Sequence, residues 1–304
     1  MRLPQAQLIN RGAGVRVAVL DTGVDASHPA LAGKLLPGRD FVDGDNDPSE
    51  VGTTANAGFG HGTHVAGLVA LAAPDAKIVP IRVLDAEGTG DVWVLAEALL
   101  YAIDPDGDPA TNDGAQVVNL SMGTLQRTDI LETVMQLATC STPDLRNPRN
   151  VLTDPAYDGD KGRCKRFSGA VVVAAAGNDA SRNVKEYPAA EGVYGLLPMG
   201  ASGQNQRLAS FSNSGSWVDV AAPGDRITSS VPGGGYGTWS GTSMAAPLAA
   251  GVSALIRARY PKEKPVDVAK RIQRNGAQLC GGTNIVQIDA VGALKDQRQS
   301  DLCP

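Results

Sequence analysis

A serine at position 243 stands where a glycine-threonine turn runs into an alanine-rich stretch of helical character. The segment reads Gly241-Thr242-Ser243-Met244-Ala245-Ala246-Pro247. Because proline is tolerated in a helix only near its first turn, Pro247 predicts that the helix begins close to Ser243. Unpaired N–H groups at a helix start favour negative charge, which acyl transfer develops on a carbonyl oxygen. Alone, however, the segment favours a simple helix cap over a nucleophile.

Two further segments could supply the acid and the base that activate a serine. An apolar run ends at Asp21 in Asp-Thr-Gly, and functional groups gather at the carboxyl ends of strands in open α/β sheets. Of the three histidines, His61 and His64 stand at the start of a predicted helix, whereas His28 precedes a proline in a loop and is predicted to be structural. A metal site on His61 and His64 is disfavoured, because no cysteine, glutamate or third histidine lies at ligand spacing.

Apolar strands and helical stretches alternate along the chain. Strands are predicted near Val15, Ile78, Val117 and Val171. Helices are predicted near residue 61 and over residues 92–103, 130–138, 243–259 and 265–274. This alternation is typical of an α/β protein with a mainly parallel β-sheet covered by helices on both faces.

Composition and charge exclude two classes of partner. The 304 residues carry a formal net charge of -5, spread along the chain without a basic patch, so nucleic acid is not an expected partner. No apolar run reaches the length of a spanning helix, so no membrane partner is expected, and residues 1–7 lack the apolar core of a signal peptide. With no linker or internal repeat, we expect a single domain over residues 1–304 and a monomer.

Three short motifs, in order, resemble the catalytic blocks of the subtilisin-like serine proteases. They are Asp-Thr-Gly from Asp21, His-Gly-Thr-His from His61 and Gly-Thr-Ser-Met-Ala around Ser243, and the similarity runs from about residue 14 to about residue 260. The resemblance implies the three-layer subtilisin-like fold. It also implies Ser243 as nucleophile, His61 as general base and then acid, Asp21 as the group that orients the imidazole, and a structural role for His64.

The resemblance extends to the oxyanion hole and to the substrate-binding loops. An apolar strand ends at Asn178, where the family places the asparagine that donates to the tetrahedral oxyanion together with the Ser243 N–H. The substrate-binding residues implied in this way are Gly88, Thr89 and Gly90 at the edge that pairs with peptide, then Ser121, Met122, Gly123, Ala175, Ala176 and Gly177 as pocket walls, with Tyr187, Pro188 and Ala189 at the base.

The pocket walls also predict which side chain precedes the cleaved bond, the P1 residue. Small walls lined by Met122 favour a broad specificity with large apolar P1 residues first. By resemblance, Asp179 and Glu186 stand near positions that rim this pocket in relatives and could favour lysine or arginine, so we expect basic residues to be tolerated.

No cofactor is expected for the chemistry, but a structural calcium ion is compatible with the sequence. The calcium-binding His-Pro-Asp-Leu segment of many relatives reads His-Pro-Ala-Leu from His28, which predicts that this site is missing. A different candidate is the acidic loop with Asp43, Asp45 and Asp47, where oxygen-rich side chains alternate with turn-forming residues. A solvated acidic loop explains the same pattern equally well.

Four cysteines bracket two segments that depart from the family pattern. Cys140 and Cys164 enclose an insertion at about residues 140–168, and Cys280 and Cys303 lie in a C-terminal extension at about residues 277–304. Local pairing, Cys140 with Cys164 and Cys280 with Cys303, is favoured among three connectivities, with four free thiols as the alternative. Disulfides predict a secreted, extracellular enzyme whose signal and propeptide have been removed; a cytoplasmic enzyme with reduced thiols is the alternative.

These observations predict a serine endopeptidase that hydrolyses peptide bonds in proteins through an acyl-enzyme on Ser243. The alternative is a catalytically silent protein of the same fold that binds peptides in the same groove. The presence of Asp21, His61, Asn178 and Ser243 favours the enzyme. A misplacement of about 1 Å can nevertheless reduce a rate roughly 10²-fold, so residue types alone leave both functions open.

Overall fold

The computed structural model describes residues 1–108, 110–141, 164 and 168–300. The strands in chain order are β1 Arg16–Asp21, β2 Arg39–Asp40, β3 Lys77–Arg82, β4 Val117–Leu120, β5 Val171–Ala175, β6 Leu196–Ser202, β7 Val220–Pro223, β8 Ile227–Val231, β9 Gly235–Trp239, β10 Ala277–Gln278 and β11 Val286–Gln287. The helices are α1 Leu3–Gln7, α2 His61–Ala72, α3 Val92–Ile103, α4 Asp129–Thr139, α5 Thr242–Arg259, α6 Pro265–Asn275 and α7 Ala290–Lys295. The predicted helices are confirmed to within a few residues.

Nine of these strands form one sheet in the order β10-β11-β7-β6-β5-β4-β1-β3-β2. All neighbouring pairs are parallel except β10 with β11. The chain passes from β1 to β3 on one side and then returns to place β4 on the other side of β1. This reversal opens a crevice beyond the carboxyl ends of β1 and β4, where α/β proteins commonly bind ligands.

The central strands are apolar on both faces because helices cover both faces. Along β1, Val17 and Val19 belong to one buried cluster, whereas Ala18 and Leu20 belong to another. Helices α2, α5, α6 and α7 supply the first cluster, and α3 and α4 supply the second. The predicted α/β class, with a mainly parallel sheet between two helical layers, is confirmed.

Helices α2 and α5 pack closely beneath the sheet, and both are almost completely buried. A Cβ at Gly251 of α5 would lie only 2.3 Å from the Cβ of Ala72 at the end of α2, so glycine is required for this approach. The N-terminal ends of these two helices carry His61 and Ser243. Their close packing therefore places both residues at the same side of the sheet.

One predicted disulfide joins Cys140 to Cys164, whose Cα atoms are 5.5 Å apart. Cys280 is also disulfide-bonded, but its predicted partner Cys303 lies outside the described residues, as does most of the predicted insertion, residues 142–163 and 165–167. The predicted C-terminal extension contributes β10 and β11 to the sheet. Among the helices of the described residues, none combines the length and the apolar character needed to cross a bilayer.

Candidate active site

The candidate site lies beyond the carboxyl ends of β1, β4 and β5. Leu20 pairs with Leu120, and Leu120 pairs with Ala174, so these three neighbouring strands are in register. The residues that follow Leu20 and Leu120 are Asp21 and Ser121, and the chain that follows Ala174 leads to Asn178 within four residues. Parallel strands thus bring three segments that are distant in sequence to one edge of the sheet.

Asp21 and His61 form a hydrogen-bonded pair at this edge. Asp21 Oδ1 lies 2.7 Å from His61 Nδ1 and also accepts a bond of 2.8 Å from the Thr22 N–H. The Asp21 side chain is 1% exposed and that of His61 is 23% exposed. Because a carboxylate can only accept from Nδ1–H, the neutral imidazole leaves Nε2 as a proton acceptor on its open side.

The surroundings of His61 raise its pKa above the ordinary value of 6.5. Burial alone lowers the pKa, because it disfavours the charged imidazolium. The charge and hydrogen bond of Asp21, together with the charge of Glu50, raise the pKa by more than burial lowers it. The site therefore stabilises the imidazolium that would form when His61 takes a proton.

Ser243 is the second residue of α5, as its sequence context predicts. Its hydroxyl donates to the Ser121 carbonyl at 3.0 Å, and the Ser121 hydroxyl donates to the Ser243 carbonyl at 2.9 Å. This reciprocal pair ties the serine to the end of β4. Asp21 ends the neighbouring strand and bonds His61, so Ser243 and the Asp21–His61 pair lie along the same edge of the sheet.

Asn178 contacts the same helix start. Its Oδ1 accepts from the Thr242 N–H at 2.9 Å and from the Thr242 hydroxyl at 3.1 Å. These two donors fix the amide orientation, so Nδ2 must point the other way. A Cβ at Gly241 would lie 3.6 Å from Nδ2, which places that donor beside the turn that precedes Ser243. The first-turn N–H groups of α5 point to the same region.

Glu50 is a residue of this site that sequence reasoning missed. Its carboxylate accepts from the Gly60 N–H at 3.1 Å and from the Thr63 N–H at 3.0 Å, both at the start of α2, and from the Thr22 hydroxyl at 3.3 Å. Burial raises the pKa of Glu50, and the hydrogen bonds from Gly60 and Thr63 oppose that rise. Glu50 lies in a polar loop eleven residues before His61, and no local pattern distinguishes it there.

The other two histidines contact backbone groups outside the Asp21–His61 pair, which agrees with the structural role predicted for them. His64 lies within hydrogen-bond distance of the Ile227 and Gly237 carbonyls, each at 3.2 Å, and stacks on Trp239 with ring centroids 4.6 Å apart. Burial lowers the pKa of His64 to about 4, so it is neutral in ordinary buffers. His28 accepts from the Ala30 N–H at 3.1 Å through Nδ1 and contacts the Gly235 carbonyl through Nε2.

Two glycine-containing loops border the site. The predicted substrate edge at Gly88, Thr89 and Gly90 is exposed, and a Cβ at Gly90 would lie 2.6 Å from the Val83 carbonyl. On the other side, Met122 is half-buried and Gly123 is exposed. Both loops belong to the predicted peptide-binding residues.

The second predicted wall follows β5, and the predicted base is hydrogen-bonded to the loop of the first wall. Ala175, Ala176 and Gly177 are buried at the end of β5. Tyr187 exchanges two backbone hydrogen bonds of 2.8 Å with Thr124, which ties the predicted base to the loop that begins at Ser121. The predicted base is thus tied to the loop after β4, and the two predicted walls follow neighbouring strands, β4 and β5.

The structure does not bring the predicted cation ligands together. Asp43 pairs with Arg82, Asp45 accepts from the Asp47 N–H at 2.9 Å, and Asp47 accepts from the Ser49 N–H at 3.3 Å. These carboxylates have separate partners because the loop folds into successive turns. Within the described ranges, the acidic oxygens that do converge, to within 4.8 Å, belong instead to Asp104, Asp106 and Asp113.

Comparison with protein families gives one match across most of the chain. Residues 12–292 match the model of the Subtilase family. The chain is 37% identical over 278 residues to a thermophilic serine proteinase from Bacillus sp. (strain AK1), covering 88% of this chain and 58% of that protein. It is 38% identical over 266 residues to thermitase from Thermoactinomyces vulgaris, covering 84% of this chain and 79% of that protein.

Solved structures give the same result. A protease from Pseudoalteromonas arctica superimposes with a TM-score of 0.76 at 30% identity, covering 97% of this chain and 93% of that one. A cold-adapted subtilisin-like serine proteinase superimposes with a TM-score of 0.69 at 28% identity, covering 92% and 88%. The chain therefore belongs to the subtilase family of subtilisin-like serine endopeptidases.

Proposed function

We propose that this protein hydrolyses peptide bonds in proteins through an acyl-enzyme on Ser243. The observation that carries the proposal is the 2.7 Å contact between Asp21 and His61 at the sheet edge where Ser243 and Asn178 also lie. In the resting arrangement the Ser243 hydroxyl donates to Ser121, so it must turn toward His61 when substrate binds. Catalytic hydrogen bonds are commonly incomplete before substrate binds.

In the first half of the proposed reaction, Ser243 Oγ attacks the carbonyl carbon while its proton passes to His61 Nε2. Asp21 keeps the imidazole in the required tautomer and stabilises its positive charge. The carbonyl oxygen becomes an oxyanion that accepts from Asn178 Nδ2 and from the Ser243 N–H. When the C–N bond breaks, the leaving amine takes the proton from His61, and an ester on Ser243 remains.

In the second half, water replaces the amine. His61 removes a proton from the water as its oxygen attacks the ester carbon, and the same oxyanion donors act again. Collapse of this intermediate breaks the ester bond, and the proton held by His61 returns to Ser243 Oγ. No cofactor takes part in these steps, which use only groups at the sheet edge.

Active-site labelling tests the proposal. A fluorophosphonate probe should react with Ser243 Oγ and lose fluoride, and peptide mapping should find the label on Ser243 in the parent protein and nowhere in the Ser243→Ala variant. If well-folded parent protein takes up no label, the nucleophile is not activated. That outcome would favour the alternative function, a silent peptide-binding protein.

The proposal extends to specificity, with large apolar P1 residues preferred. Half-buried Met122 contacts the apolar cluster above the sheet, and the buried wall at Ala175 and Ala176 is small, which together suit a bulky apolar side chain. A peptide library cut by the enzyme should show aromatic residues or leucine most often at P1. A profile that excludes both apolar and basic residues would contradict this specificity.

Secretion is part of the same proposal. The Cys140–Cys164 disulfide and the disulfide-bonded Cys280 suit an oxidising compartment outside the cell. We also propose a single domain and a monomer. The partners are then protein or peptide substrates.

A further inference from the structure

The carboxylate of Glu186 lies between the two walls of the candidate pocket. A Cβ at Gly123 would lie 2.5 Å from Glu186 Oε2, and a Cβ at Gly177 would lie 2.3 Å from Oε1. A side chain at either position would have to displace the Glu186 carboxylate, and Gly177 also has a φ of +101°. Glu186 itself is half-buried, so the residue is not sealed from solvent.

Both walls also touch the turn that carries the nucleophile. The Gly177 N–H donates to the Thr242 hydroxyl at 3.2 Å, and the Ser121 carbonyl accepts from the Ser243 hydroxyl at 3.0 Å. The turn that carries Ser243 is therefore next to the space between these walls, which the Glu186 carboxylate borders.

Glu186 has a second acid as its hydrogen-bond partner. Asp179 is bonded to the Glu186 side chain, and two carboxyl groups can share a hydrogen bond only if one of them holds a proton. Asn213 holds Asp179 in place, through a bond of 3.1 Å from the Asp179 N–H to Asn213 Oδ1 and one of 3.0 Å from Asn213 Nδ2 to Asp179 Oδ2. Asp179 is thus held in a fixed position next to Glu186.

The surroundings of Glu186 raise its pKa into the pH range in which enzymes commonly work. Burial, and then the hydrogen bond and charge of Asp179, raise the pKa of Glu186 to about 7, against a smaller opposite effect of the Asn178 N–H. Asp179 is the charged group that faces Glu186 here. Lys185, the next cation along the chain, places its Nζ 5.9 Å from the centroid of the Trp217 ring.

We propose that the Glu186–Asp179 pair is a proton-controlled selector of the P1 side chain, favouring apolar residues while it holds a shared proton and lysine or arginine once that proton is lost. This inference rests on the proposed peptidase function and deepens it. With the proton, the pair carries one negative charge and a neutral carboxyl faces the pocket. Without it, two negative charges repel each other, and a cation at P1 relieves that repulsion.

The test is a ratio of rates. Matched peptides that differ only in lysine, arginine, leucine or phenylalanine at P1 are hydrolysed from pH 5.5 to 9, and kcat/KM for the basic peptides is divided by that for the apolar ones. The titration of His61 affects all four peptides alike and cancels. The ratio should rise by roughly five- to tenfold with a midpoint near 7, and the rise should shrink at high salt.

Two variants and a control identify the groups. In Glu186→Gln the ratio should be independent of pH. In Asp179→Asn the midpoint should move to lower pH, because the charge and hydrogen bond that keep the proton on Glu186 are lost. Glu97→Gln, which removes an exposed carboxylate on α3, should leave the parent curve unchanged. Hydrolysis of the apolar peptides shows that each variant is folded.

A parent ratio that does not change with pH, or a pH dependence that persists in Glu186→Gln, would overturn the selector. Failure of the parent protein to cleave any of the peptides would instead contradict the proposed peptidase function.

Discussion

At the scale of single residues, the candidate site depends on side chains whose orientation is set by fixed partners. Asp21 determines which nitrogen of His61 carries a proton, and Thr242 determines which end of the Asn178 amide faces the site. Each orientation is fixed because a hydrogen-bond donor must face an acceptor. The proposed chemistry therefore makes separate predictions for Asn178 and for Asp21.

Asn178→Ala should lower kcat strongly and change KM little. The proposed oxyanion forms only after attack, so the lost donor stabilises the transition state and not the bound substrate. We expect a loss of about 10²- to 10³-fold in kcat, the size known for the corresponding donor in subtilisin. Steady-state kinetics would contradict the role if KM rose and kcat were unchanged. Thr242→Ser keeps the hydroxyl that bonds Asn178 and should retain most of the activity.

The acid limb of the pH profile should have its midpoint above 6.5, because the pKa of His61 is raised and only the neutral imidazole can take the Ser243 proton. Asp21→Asn should move that midpoint to lower pH and reduce kcat about 10⁴-fold, as in other triads. Measurement in a Glu186→Gln background removes the pocket acid from the curve. A midpoint that stays in place in Asp21→Asn would contradict the assignment.

At the scale of elements, the site depends on how the start of α2 is held. Glu50 joins that start to the loop after β1 through Gly60, Thr63 and Thr22, so one carboxylate connects the segment with His61 to the segment with Asp21. Acids near a helix start also suit its unpaired N–H groups. We expect Glu50 to position the pair and not to contact substrate.

Glu50→Ala should destabilise the protein by about 1–3 kcal/mol, because it leaves buried N–H groups without an acceptor. Glu50→Gln keeps one acceptor oxygen and should be less destabilising. Both changes remove a charge that raises the pKa of His61, so both should move the acid limb to lower pH. Urea unfolding and pH profiles measure the two effects separately. A stability loss without a shift of the acid limb would assign Glu50 a purely structural role.

The α2–α5 contact makes a prediction about packing. Gly251→Ala would place a Cβ 2.3 Å from that of Ala72 and should reduce stability by about 1–3 kcal/mol. The matched control is the double variant Gly251→Ala with Ala72→Gly, which returns the lost space and should recover part of the stability. If thermal unfolding gives the same midpoint for the single variant and the parent, the helices are not in tight contact.

At the scale of the whole molecule, one sheet connects the site to the terminal segments. Strands β10 and β11 extend the sheet from β7, and Arg2 near the N-terminus pairs with Asp289 before α7. Such contacts between distant parts of the chain favour a single cooperative unit, as proposed. Calorimetry should then show one unfolding transition, and two separated transitions would divide the chain into domains.

Reduction of the disulfides tests how much they contribute to the stability of the protein. The Cys140–Cys164 bond closes a loop with a sequence separation of 24, for which loss of the link should reduce stability by about 3 kcal/mol. Cys140→Ser with Cys164→Ser should reproduce the effect without a reductant. Intact mass before and after reduction counts the disulfides, since each adds two hydrogens when reduced. An unchanged mass would mean reduced thiols and would contradict the proposed secretion.

Local patterns in the sequence are enough to predict the fold class, the main helices and the residue types of the site. Local signals specify where elements begin and end. Examples are the apolar runs that end near Asp21 and Asn178 and the proline near the start of α5. The sheet order was not predicted, and the meeting of the three motifs was expected through the family resemblance.

Which distant side chains meet depends on the folded arrangement of the elements. It separated Asp43, Asp45 and Asp47, which their spacing had grouped, because each carboxylate found a partner in its own turn or across the loop. It brought Glu50 to the start of α2 and placed Glu186 between Gly123 and Gly177. Such contacts depend on the path of the chain between elements, which periodicity and capping do not encode.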